Sequence, residues 1–347
     1  MAGRRSTGRP TIADVATLAG VSVSAVSQVF NQRGNISDAT ADRIREAARK
    51  LNWTPSPAAV ALREARARSV GLVLNHTTDN FEAGGSRVRL IYGLESVLAP
   101  RDYGLSLYMF DRTAEDEARF YRRLAAARRV DGVILTDSMV GDVRFDLMRS
   151  LELPAVLVGA PWRSDPIPSL DSETAPDGIH ESVEHLVQQG HSRIAYIGGP
   201  ADRVQPTHRR RSFEAAMREF GLTPVANLDA GYNWDVAAEQ TTELLEQLDP
   251  PTAIMYASDE MALTGMRAAR RAGFTVPEDL SVIGYDGVFV GAWTDPELTS
   301  VHRDSVQRGR VAAALLLRAL GEEVEEQYEL TPPKLVVRGS TAPPRTE

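Results

Sequence analysis

The chain has 347 residues, of which 43% are hydrophobic and 25% charged, and its net charge is −8. This length exceeds one ordinary core and predicts one small and one large folded unit. No run of eighteen apolar residues and no cysteine occurs, which excludes a membrane-spanning helix, disulfides and thiolate metal sites. The polar N-terminus lacks the apolar segment of a secretory signal, so we expect a cytoplasmic protein with no membrane partner.

The charge is unevenly distributed along the chain. Residues 1–68 carry eleven Lys and Arg against five Asp and Glu, whereas the remainder carries 28 against 42. A basic head on an acidic body is expected when only the head meets nucleic-acid phosphates. A solvated basic tail would give the same count, so charge alone leaves both interpretations open.

Three short helices are predicted in the first 52 residues. Each begins after a residue suited to N-capping, namely Thr11, Ser22 and Ser37. Gly20 ends the first helix, and Asn52, which tolerates a left-handed conformation, ends the third. Apolar residues at helical spacing predict a core of Ile12, Val15, Ala16, Ala19, Val26, Val29, Phe30, Ile44, Ala47, Ala48 and Leu51. The tight turn between the first two helices predicts a helix-turn-helix, although such helix pairs also occur in proteins that never bind DNA.

From residue 69 onward, short apolar runs alternate with amphipathic stretches. Strands are predicted at 70–74, 105–110, 130–136, 155–158, 193–197, 253–256 and 281–285. Helices are predicted between them, at 88–98, 115–127, 179–188 and 260–272. This alternation predicts parallel sheets covered by helices, and roughly ten strands suit two α/β lobes better than one sheet.

Several motifs together resemble one protein family. The head reads TIADVATLAGVS over 11–22, followed by VS at 26–27, VFN at 29–31, IS at 36–37 and LNWTP at 51–55. The body contains EHL at 184–186, GHSRI at 190–194, ASDEMA at 257–262, VPEDLSVIGYD at 276–286 and LTSV at 298–301. These motifs resemble the lactose/galactose-repressor (LacI/GalR) family over nearly the whole chain. The resemblance implies an all-α helix-turn-helix head and an α/β two-lobed body like that of the periplasmic binding proteins.

The resemblance also implies where the domains begin and end. The helix-turn-helix domain takes residues 1–55, a hinge takes 56–68, and the effector-binding and dimerisation domain takes 69–347. Within that domain the N-lobe takes about 69–169 and 303–330, and the C-lobe takes about 170–301 and 331–343. The Pro-rich tail, 341–347, is expected to be disordered.

In the head, the resemblance implies that Val23, Ser24 and Gln28 read bases. The amide of Gln28 has the geometry to pair with adenine, and Val23 suits a thymine methyl, although Val23 also fits a core or turn position. Contacts to phosphate, which fix register without reading sequence, are implied for Thr11, Ser22, Ser27 and Asn31. Ala25 stands where the family usually has threonine, so one such contact is expected to be missing.

The hinge, SPAAVALREARAR at 56–68, is Ala-rich, basic and too short to form a stable helix alone in water. The resemblance implies that it folds into a helix on operator DNA and that Leu62 wedges between base pairs in the minor groove. Ser56, Pro57 and Val60 depart from the family pattern, and they leave a plain interdomain linker as the alternative.

The resemblance implies a small effector, a sugar or sugar derivative, between the lobes. Ligands of open α/β sheets bind beyond the C-terminal ends of the strands, where polar residues become candidates. The implied effector-binding residues are Asp286, Arg209, Trp234, Asp137, Ser258, Asp259 and Phe81. Among the consecutive arginines at 209–211, Arg210 is the nearest rival to Arg209. A surface loop or a helix cap is the alternative role for each candidate.

Taken together, these features predict a transcriptional regulator. The six histidines lack metal-ligand spacing, and no phosphate loop or catalytic triad is recognisable, so we expect no metal, no cofactor and no enzyme activity. We expect a homodimeric, nucleoid-associated repressor that binds a pseudo-palindromic operator and is controlled allosterically by the effector. The alternatives are the same DNA-binding role under a protein corepressor, and a solute-binding receptor.

Overall fold

The computed structural model describes residues 10–30, 36–54, 66–75, 85–110, 114–172 and 176–345. The chain divides into two compact units, Met1–Ala67 and Arg68–Glu347. The predicted helical head and two-sheet α/β body are both confirmed. Three predicted site residues, Asn31, Leu62 and Phe81, lie outside the described residues. No single helix within the described ranges is long and apolar enough to cross a membrane.

The head consists of helices α1 (Ile12–Ala19), α2 (Val23–Phe30) and α3 (Asp38–Lys50). Thr11 and Asp14 form a capping box at the start of α1, and Gly20 ends that helix with φ 65°. Ser22 starts α2, because its hydroxyl accepts a hydrogen bond from the amide of Ala25 at 3.1 Å. The sequence therefore defines the turn between α1 and α2 locally.

The three helices enclose one small apolar core. Its buried members are Val15, Ala16, Val26, Ile44, Ala47 and Ala48, and the other predicted core residues pack against them half-buried. Phe30 meets Trp53 edge to face, with ring centroids 5.2 Å apart. Ser37 corrects a prediction, because its hydroxyl donates to the Thr40 hydroxyl at 3.0 Å and caps no backbone amide of α3.

The N-lobe of the body is a four-stranded parallel sheet in the order β2-β1-β3-β4. Its elements are β1 (Ser69–Asn75), α4 (Gly85–Leu98), β2 (Gly104–Phe110), α5 (Ala114–Ala126), β3 (Gly132–Thr136), α6 (Arg144–Ser150) and β4 (Ala155–Val158). A short 3₁₀ turn, Ala99–Arg101, follows α4.

The C-lobe is a six-stranded sheet in the order β10-β9-β8-β7-β5-β6. Its elements are α7 (Ile179–Gln188), β5 (Ile194–Gly198), α8 (Val204–Glu219), β6 (Ala226–Asp229), α9 (Trp234–Leu245), β7 (Ala253–Tyr256), α10 (Asp259–Arg271), β8 (Ser281–Asp286), a 3₁₀ turn (Phe289–Trp293), β9 (Thr299–His302) and β10 (Lys334–Val336). All neighbouring strands are parallel except β10, which pairs antiparallel with β9.

Between β9 and β10 the chain returns to the N-lobe as α11 (Ser305–Ala319). This helix packs on α4, β3 and β4. It contributes Ala312, Leu316 and Leu317 to the same buried cluster as Leu90 and Leu94 of α4. The N-lobe core therefore depends on a segment that is remote in sequence from its strands.

The C-terminal tail is ordered through Arg345, so the expectation of disorder is wrong for 341–345. Ser340 is fully buried, where its hydroxyl accepts from the amide of Thr299 at 2.8 Å and donates to the Val282 carbonyl at 2.6 Å. His191 contacts the Ala342 carbonyl at 2.9 Å. Hydrogen bonds to the starts of β8 and β9 thus order a segment whose proline content suggested otherwise.

Candidate nucleic-acid interface and effector cleft

The exposed face of α2 carries the three predicted base-reading residues. Val23, Ser24 and Gln28 are all exposed, whereas Val26 on the other face is fully buried. Ser24 and Gln28 lie one helical turn apart and therefore share a face. Val23 is 46% exposed, which excludes a core position for it.

The hydroxyls predicted to contact phosphate already hold the helix starts. The Thr11 amide and hydroxyl donate to the Asp14 carboxylate at 2.7 and 2.8 Å, and these two hydrogen bonds lower the pKa of Asp14. The Ser22 hydroxyl lies 2.8 Å from that of Ser24, besides capping α2. Ser27 is half-buried. Phosphate contact by Thr11, Ser22 and Ser27 stays a prediction.

A cleft opens between the two lobes of the body, at the carboxyl ends of β4, β8 and β9. It encloses about 420 Å³ of empty space, part of it open to solvent. The cleft is lined by Ala160, Asp171, Ser172, Pro176, Asp177, Gln205, His208, Arg209, Tyr285, Arg303 and Pro333. This position matches the place where open α/β sheets bind ligands.

Among the three consecutive arginines, Arg209 lines the cleft and is only 5% exposed. Arg210 instead lies 3.8 Å from the Asp229 carboxylate, and Arg211 is exposed. The Arg209 guanidinium donates to the Ala257 carbonyl at 3.0 Å and lies 3.5 Å from the centroid of the Tyr285 ring. Within the described part of the chain, no carboxylate lies within ion-pair distance of Arg209.

A cluster around Asp171, which no sequence motif predicted, forms one wall of the cleft. Arg308 binds both carboxylate oxygens of Asp171, at 2.8 and 2.6 Å. Arg303 and Gln205 donate to the same carboxylate at 3.3 and 2.8 Å. Burial opposes ionisation of Asp171, but hydrogen bonding to Arg308 and the charges of both arginines outweigh burial and lower its pKa.

Asp286 ends β8 with a left-handed φ of 105°, a conformation that is costly for a residue other than glycine. Its half-buried carboxylate makes no hydrogen bond to any described residue. Burial raises its pKa in spite of the nearby charge of Arg209 and Arg303. Asp286 therefore offers an unused acceptor close to the buried Arg209.

Among the described candidates for effector binding, Arg209 alone lines the cleft, and Asp286 directly follows the lining residue Tyr285. Trp234, Ser258 and Asp259 have other roles. Trp234 packs half-buried against the C-lobe core, and the Ser258 hydroxyl caps α10 by accepting from the amide of Met261. Asp259 is fully buried, where it accepts from the amide of Val288 at 2.6 Å and from the Ser300 hydroxyl at 2.5 Å. Burial raises the pKa of Asp259 well above its usual value. Core packing, capping and loop anchoring thus account for these residues.

Two tyrosines that the sequence did not single out lie near Arg209. Tyr285 forms part of the cleft lining, and its hydroxyl donates to the Asp177 carbonyl at 2.9 Å. Tyr232, two residues before Trp234, covers Gly199 so closely that a Cβ there would meet the Tyr232 ring at 2.5 Å. The charge of Arg209 acts on both tyrosines. The sequence did not mark Tyr285 as a cleft residue, because a tyrosine within a predicted strand looks like an ordinary strand residue.

Asp137 is exposed, has φ 51°, and lies beside a contact between the lobes. We call this contact the interlobe clasp, residues 138–140 of the N-lobe against 202–204 of the C-lobe. Met139 and Arg203 form an antiparallel bridge, flanked by hydrogen bonds from Val140 N to Asp202 O and from Val204 N to Ser138 O, both 2.9 Å. The Asp137 carbonyl accepts from Arg203 at 2.9 Å. Asp137 thus contributes its backbone to the clasp.

Val204→Pro is expected to loosen the clasp without harming α8. Val204 is the first residue of α8, where proline is favoured, and Arg203 before it has the extended conformation that proline requires. The substitution removes only the amide that donates to Ser138, worth about 0.5–1.5 kcal/mol. Amide exchange at Val140 should accelerate roughly 2- to 10-fold, whereas Val204→Ala should leave it unchanged. Equal exchange in both variants would show that the clasp does not hold the lobes.

Comparison with known proteins gives a consistent result. Residues 11–56 match the profile of bacterial regulatory proteins of the lacI family, and residues 183–341 match a periplasmic binding protein-like domain. The HTH-type transcriptional repressor PurR of Aliivibrio fischeri (strain ATCC 700601 / ES114) is 31% identical over 342 residues, covering 96% of this chain and 98% of the relative. PurR of Haemophilus influenzae (strain PittEE) is 30% identical over 338 residues, covering 95% and 98%.

Two solved structures extend the similarity to three dimensions. The lac repressor dimer bound to operator and the anti-inducer ONPF superposes with a TM-score of 0.82 at 27% identity, covering 96% of this chain and all of that one. The complex of the transcriptional regulator CelR with cellobiose superposes with a TM-score of 0.69 at 29% identity, with the same coverage.

Proposed function

This chain belongs to the LacI family of bacterial regulatory proteins and is a DNA-binding transcriptional repressor, and from that premise we propose that a small molecule in the interlobe cleft controls its operator binding as a homodimer. One observation carries the proposal. Arg209, a buried donor, lines the cleft, and Asp286, a half-buried acceptor, is close enough to feel its charge. Arg209 makes one hydrogen bond, to the Ala257 carbonyl, and keeps further donors, while the Asp286 carboxylate makes no hydrogen bond to a described residue. A ligand bearing both acceptors and donors would satisfy the two residues together.

A dimer places two α2 helices on one DNA. Each helix presents Val23, Ser24 and Gln28 to a half-site, so the operator is expected to be an inverted repeat with half-sites one helical turn or a multiple apart. Phosphate contacts from Thr11, Ser22, Ser27 and Asn31 would fix the register. The hinge, through Leu62, would add a minor-groove wedge that couples the body to the DNA.

Exposed apolar side chains on the N-lobe support the dimer. Val88 and Tyr92 lie one turn apart on α4, and Leu107 and Met109 lie on one face of the neighbouring edge strand β2. A second exposed group, Phe289, Val290 and Trp293, lies on the C-lobe. Apolar patches of this kind mark interaction surfaces in proteins that are otherwise polar outside.

Tyr92→Arg is expected to convert the dimer to monomer. Tyr92 is 63% exposed in the chain, so arginine does not disturb the fold, yet it would bring two like charges together across a two-fold interface. Sedimentation velocity should show a dissociation constant raised at least about tenfold. Leu248→Arg, at a fully exposed loop residue, is the matched control and should remain dimeric. A dimeric Tyr92→Arg variant would place the interface elsewhere.

Selection of DNA tests the proposed operator. The purified full-length protein is incubated with sheared DNA from its source organism, and the retained fragments are sequenced. Enrichment of a short inverted repeat supports a dimeric reader with two α2 helices. A direct repeat or a single half-site would contradict that arrangement, and absence of enrichment would favour control by a protein corepressor.

Gln28→Ala is expected to relax base preference at one position of each half-site by about 1–3 kcal/mol, because the side chain has the geometry of a bidentate adenine reader. The same selection, repeated with the variant, measures the preference position by position. Gln188→Ala, an exposed glutamine on α7 of the body, serves as control and should leave every position unchanged. An unaltered preference in Gln28→Ala would remove its base-reading role.

Effector control is tested by operator affinity in the presence of candidate ligands. Sugars form the first panel, because the CelR structure is a cellobiose complex and Asp286 can accept hydrogen bonds from hydroxyls. Purine bases form the second, because the curated relatives that cover this chain carry the name PurR. A compound that changes operator affinity supports the proposal, and Arg209→Met should abolish its effect while leaving operator binding without ligand intact.

A further inference from the structure

We propose that the effector carries an anionic group, a carboxylate or a phosphate, which binds at the arginine wall of the cleft, defined as Arg209, Arg303 and Arg308. This inference rests on the proposed effector control and names the chemistry of that ligand. It is carried by the arrangement of charges in the cleft.

The arginine wall holds three guanidinium groups, and among the described residues one carboxylate, that of Asp171, is in direct contact with them. Asp171 pairs with Arg308 and Arg303, whereas Arg209 has no ion pair among the described residues. Arg209 and Arg308 are 5% and 8% exposed, and the Arg303 side chain is 13% exposed. A buried charge is costly unless it is paired. One bound anion would offset the surplus positive charge.

The same wall has hydrogen-bond donors left over. Arg209 uses one of its five N–H groups in the hydrogen bond to the Ala257 carbonyl, and its guanidinium lies over the Tyr285 ring. Arg303 contacts Asp171 through its Nη2 atom. The Nε atom of Arg303 is buried and has no hydrogen-bond partner among the described residues. Both arginines line the cleft. Their unused donors suit the oxygen atoms of a carboxylate or phosphate, which arginine binds in a fork geometry.

Repulsion within the wall points the same way. Burial and the like charge of Arg303 lower the pKa of Arg308, even though Asp171 pairs with it. The positive charge of Arg308 is therefore destabilised by burial and by its neighbour Arg303, and a negative ligand beside them would relieve the repulsion.

The two other carboxylates that the structure describes near the cleft, Asp177 and Asp286, do not supply that negative charge directly. Asp177 accepts from the amide of Ile179 at 3.0 Å at the start of α7. Asp286 lies beyond ion-pair distance of every described arginine, and its pKa is raised by burial. Asp286 instead offers an acceptor for hydroxyl or N–H groups. The ligand that fits both ends has an anionic group at the arginine wall and neutral donors at Asp286.

Matched ligand pairs test the inference on the full-length protein. Each pair has a neutral and an anionic member: galactose and galacturonate, glucose and glucose 6-phosphate, adenosine and adenosine monophosphate. Inorganic phosphate and acetate probe the wall alone. Binding is measured by calorimetry and thermal unfolding, and operator affinity is measured in parallel. We expect an anionic member to bind at least about tenfold more tightly than its neutral partner, and the carboxylate and phosphate pairs to show which anion is preferred.

Arg303→Gln separates this inference from effector control in general. The variant should lose the preference for the anionic member and keep the weak affinity for the neutral one. Arg310→Gln is the matched control, because Arg310 lies on α11 outside the cleft lining. This variant should bind both members of each pair as the unaltered protein does. A neutral compound that binds equally well and shifts operator affinity would overturn the inference and leave effector control standing. Absence of binding by every anion, phosphate and acetate included, would also overturn it, and operator binding indifferent to all compounds would overturn effector control as well.

Discussion

Replacing Arg144 by methionine is expected to lower the free energy of unfolding of the body by about 3–5 kcal/mol. Arg144 is buried with Glu117 and Asp142, which are 2% exposed each. It donates to Asp142 at 2.9 and 2.7 Å, and it lies 3.3 Å from Glu117. Methionine fills similar volume but leaves two buried carboxylates without their cation. Removal of one partner from a buried ion network costs far more than the network contributes overall.

Urea unfolding of the two proteins measures the loss. The control is Arg119→Met on α5, where the arginine pairs with Asp116 at the surface. That change should cost less than about 1 kcal/mol, because solvent screens exposed ion pairs. Similar losses of unfolding free energy in both variants would show that burial does not increase the cost of removing Arg144.

The Arg144 network also reaches the interlobe clasp. Its guanidinium donates to the carbonyls of Thr136 and Asp137 at 2.9 and 3.3 Å, where β3 ends and the interlobe clasp begins. A residue of α6 therefore fixes the N-lobe half of the clasp. The variant should accordingly show faster amide exchange at Val140 in addition to lower stability.

The fold was predictable where its signals are local. The N-cap at Thr11 and the left-handed residues Gly20 and Asn52 appear in the structure as predicted, because caps and turns depend on neighbouring residues. All seven predicted strands are present. The strands β6, β9 and β10 were not predicted individually. The first and last lie at sheet edges, and all three mix polar with apolar residues, as ANLD, TSVH and KLV. They therefore lack the short apolar run that marked β4 and β7, which have four residues each.

The candidate site was predictable only in part, and for a physical reason. Polar residues at strand ends can face a ligand, cap a helix or anchor a loop, and sequence does not distinguish these roles. Arg209 lines the cleft and Asp286 directly follows the lining residue Tyr285, whereas Ser258 caps a helix and Asp259 anchors a loop. The Asp171 cluster was missed because its arginines lie more than 130 positions away along the chain. The segment in which the chain passes from β9 into α11 contains Arg303 and Arg308 and brings them to Asp171.

The packing of α11 against α4 leads to the second large expected effect. Gly93 and Gly309 face each other where these helices cross. A Cβ on Gly309 would lie 2.3 Å from the Leu90 carbonyl oxygen, and one on Gly93 would lie 2.1 Å from that of Val306. Both obstacles are backbone atoms, which cannot rotate away as a side chain can. Any larger residue must therefore separate the two helices.

Gly309→Ala is expected to lower the free energy of unfolding of the body by about 1–3 kcal/mol, the usual cost of overpacking. The direction of this change in stability is informative, because alanine in place of a helical glycine ordinarily stabilises a protein by about 1 kcal/mol. Here the separation of α11 from α4 loosens the buried cluster that both helices share with the sheet. Gly104→Ala is the control, since no atom of the described residues, its two chain neighbours aside, lies within 4 Å of its Cβ position. A stabilised Gly309→Ala protein would mean that the helices can shift apart at little cost, and the close crossing would then be incidental to the stability of the N-lobe.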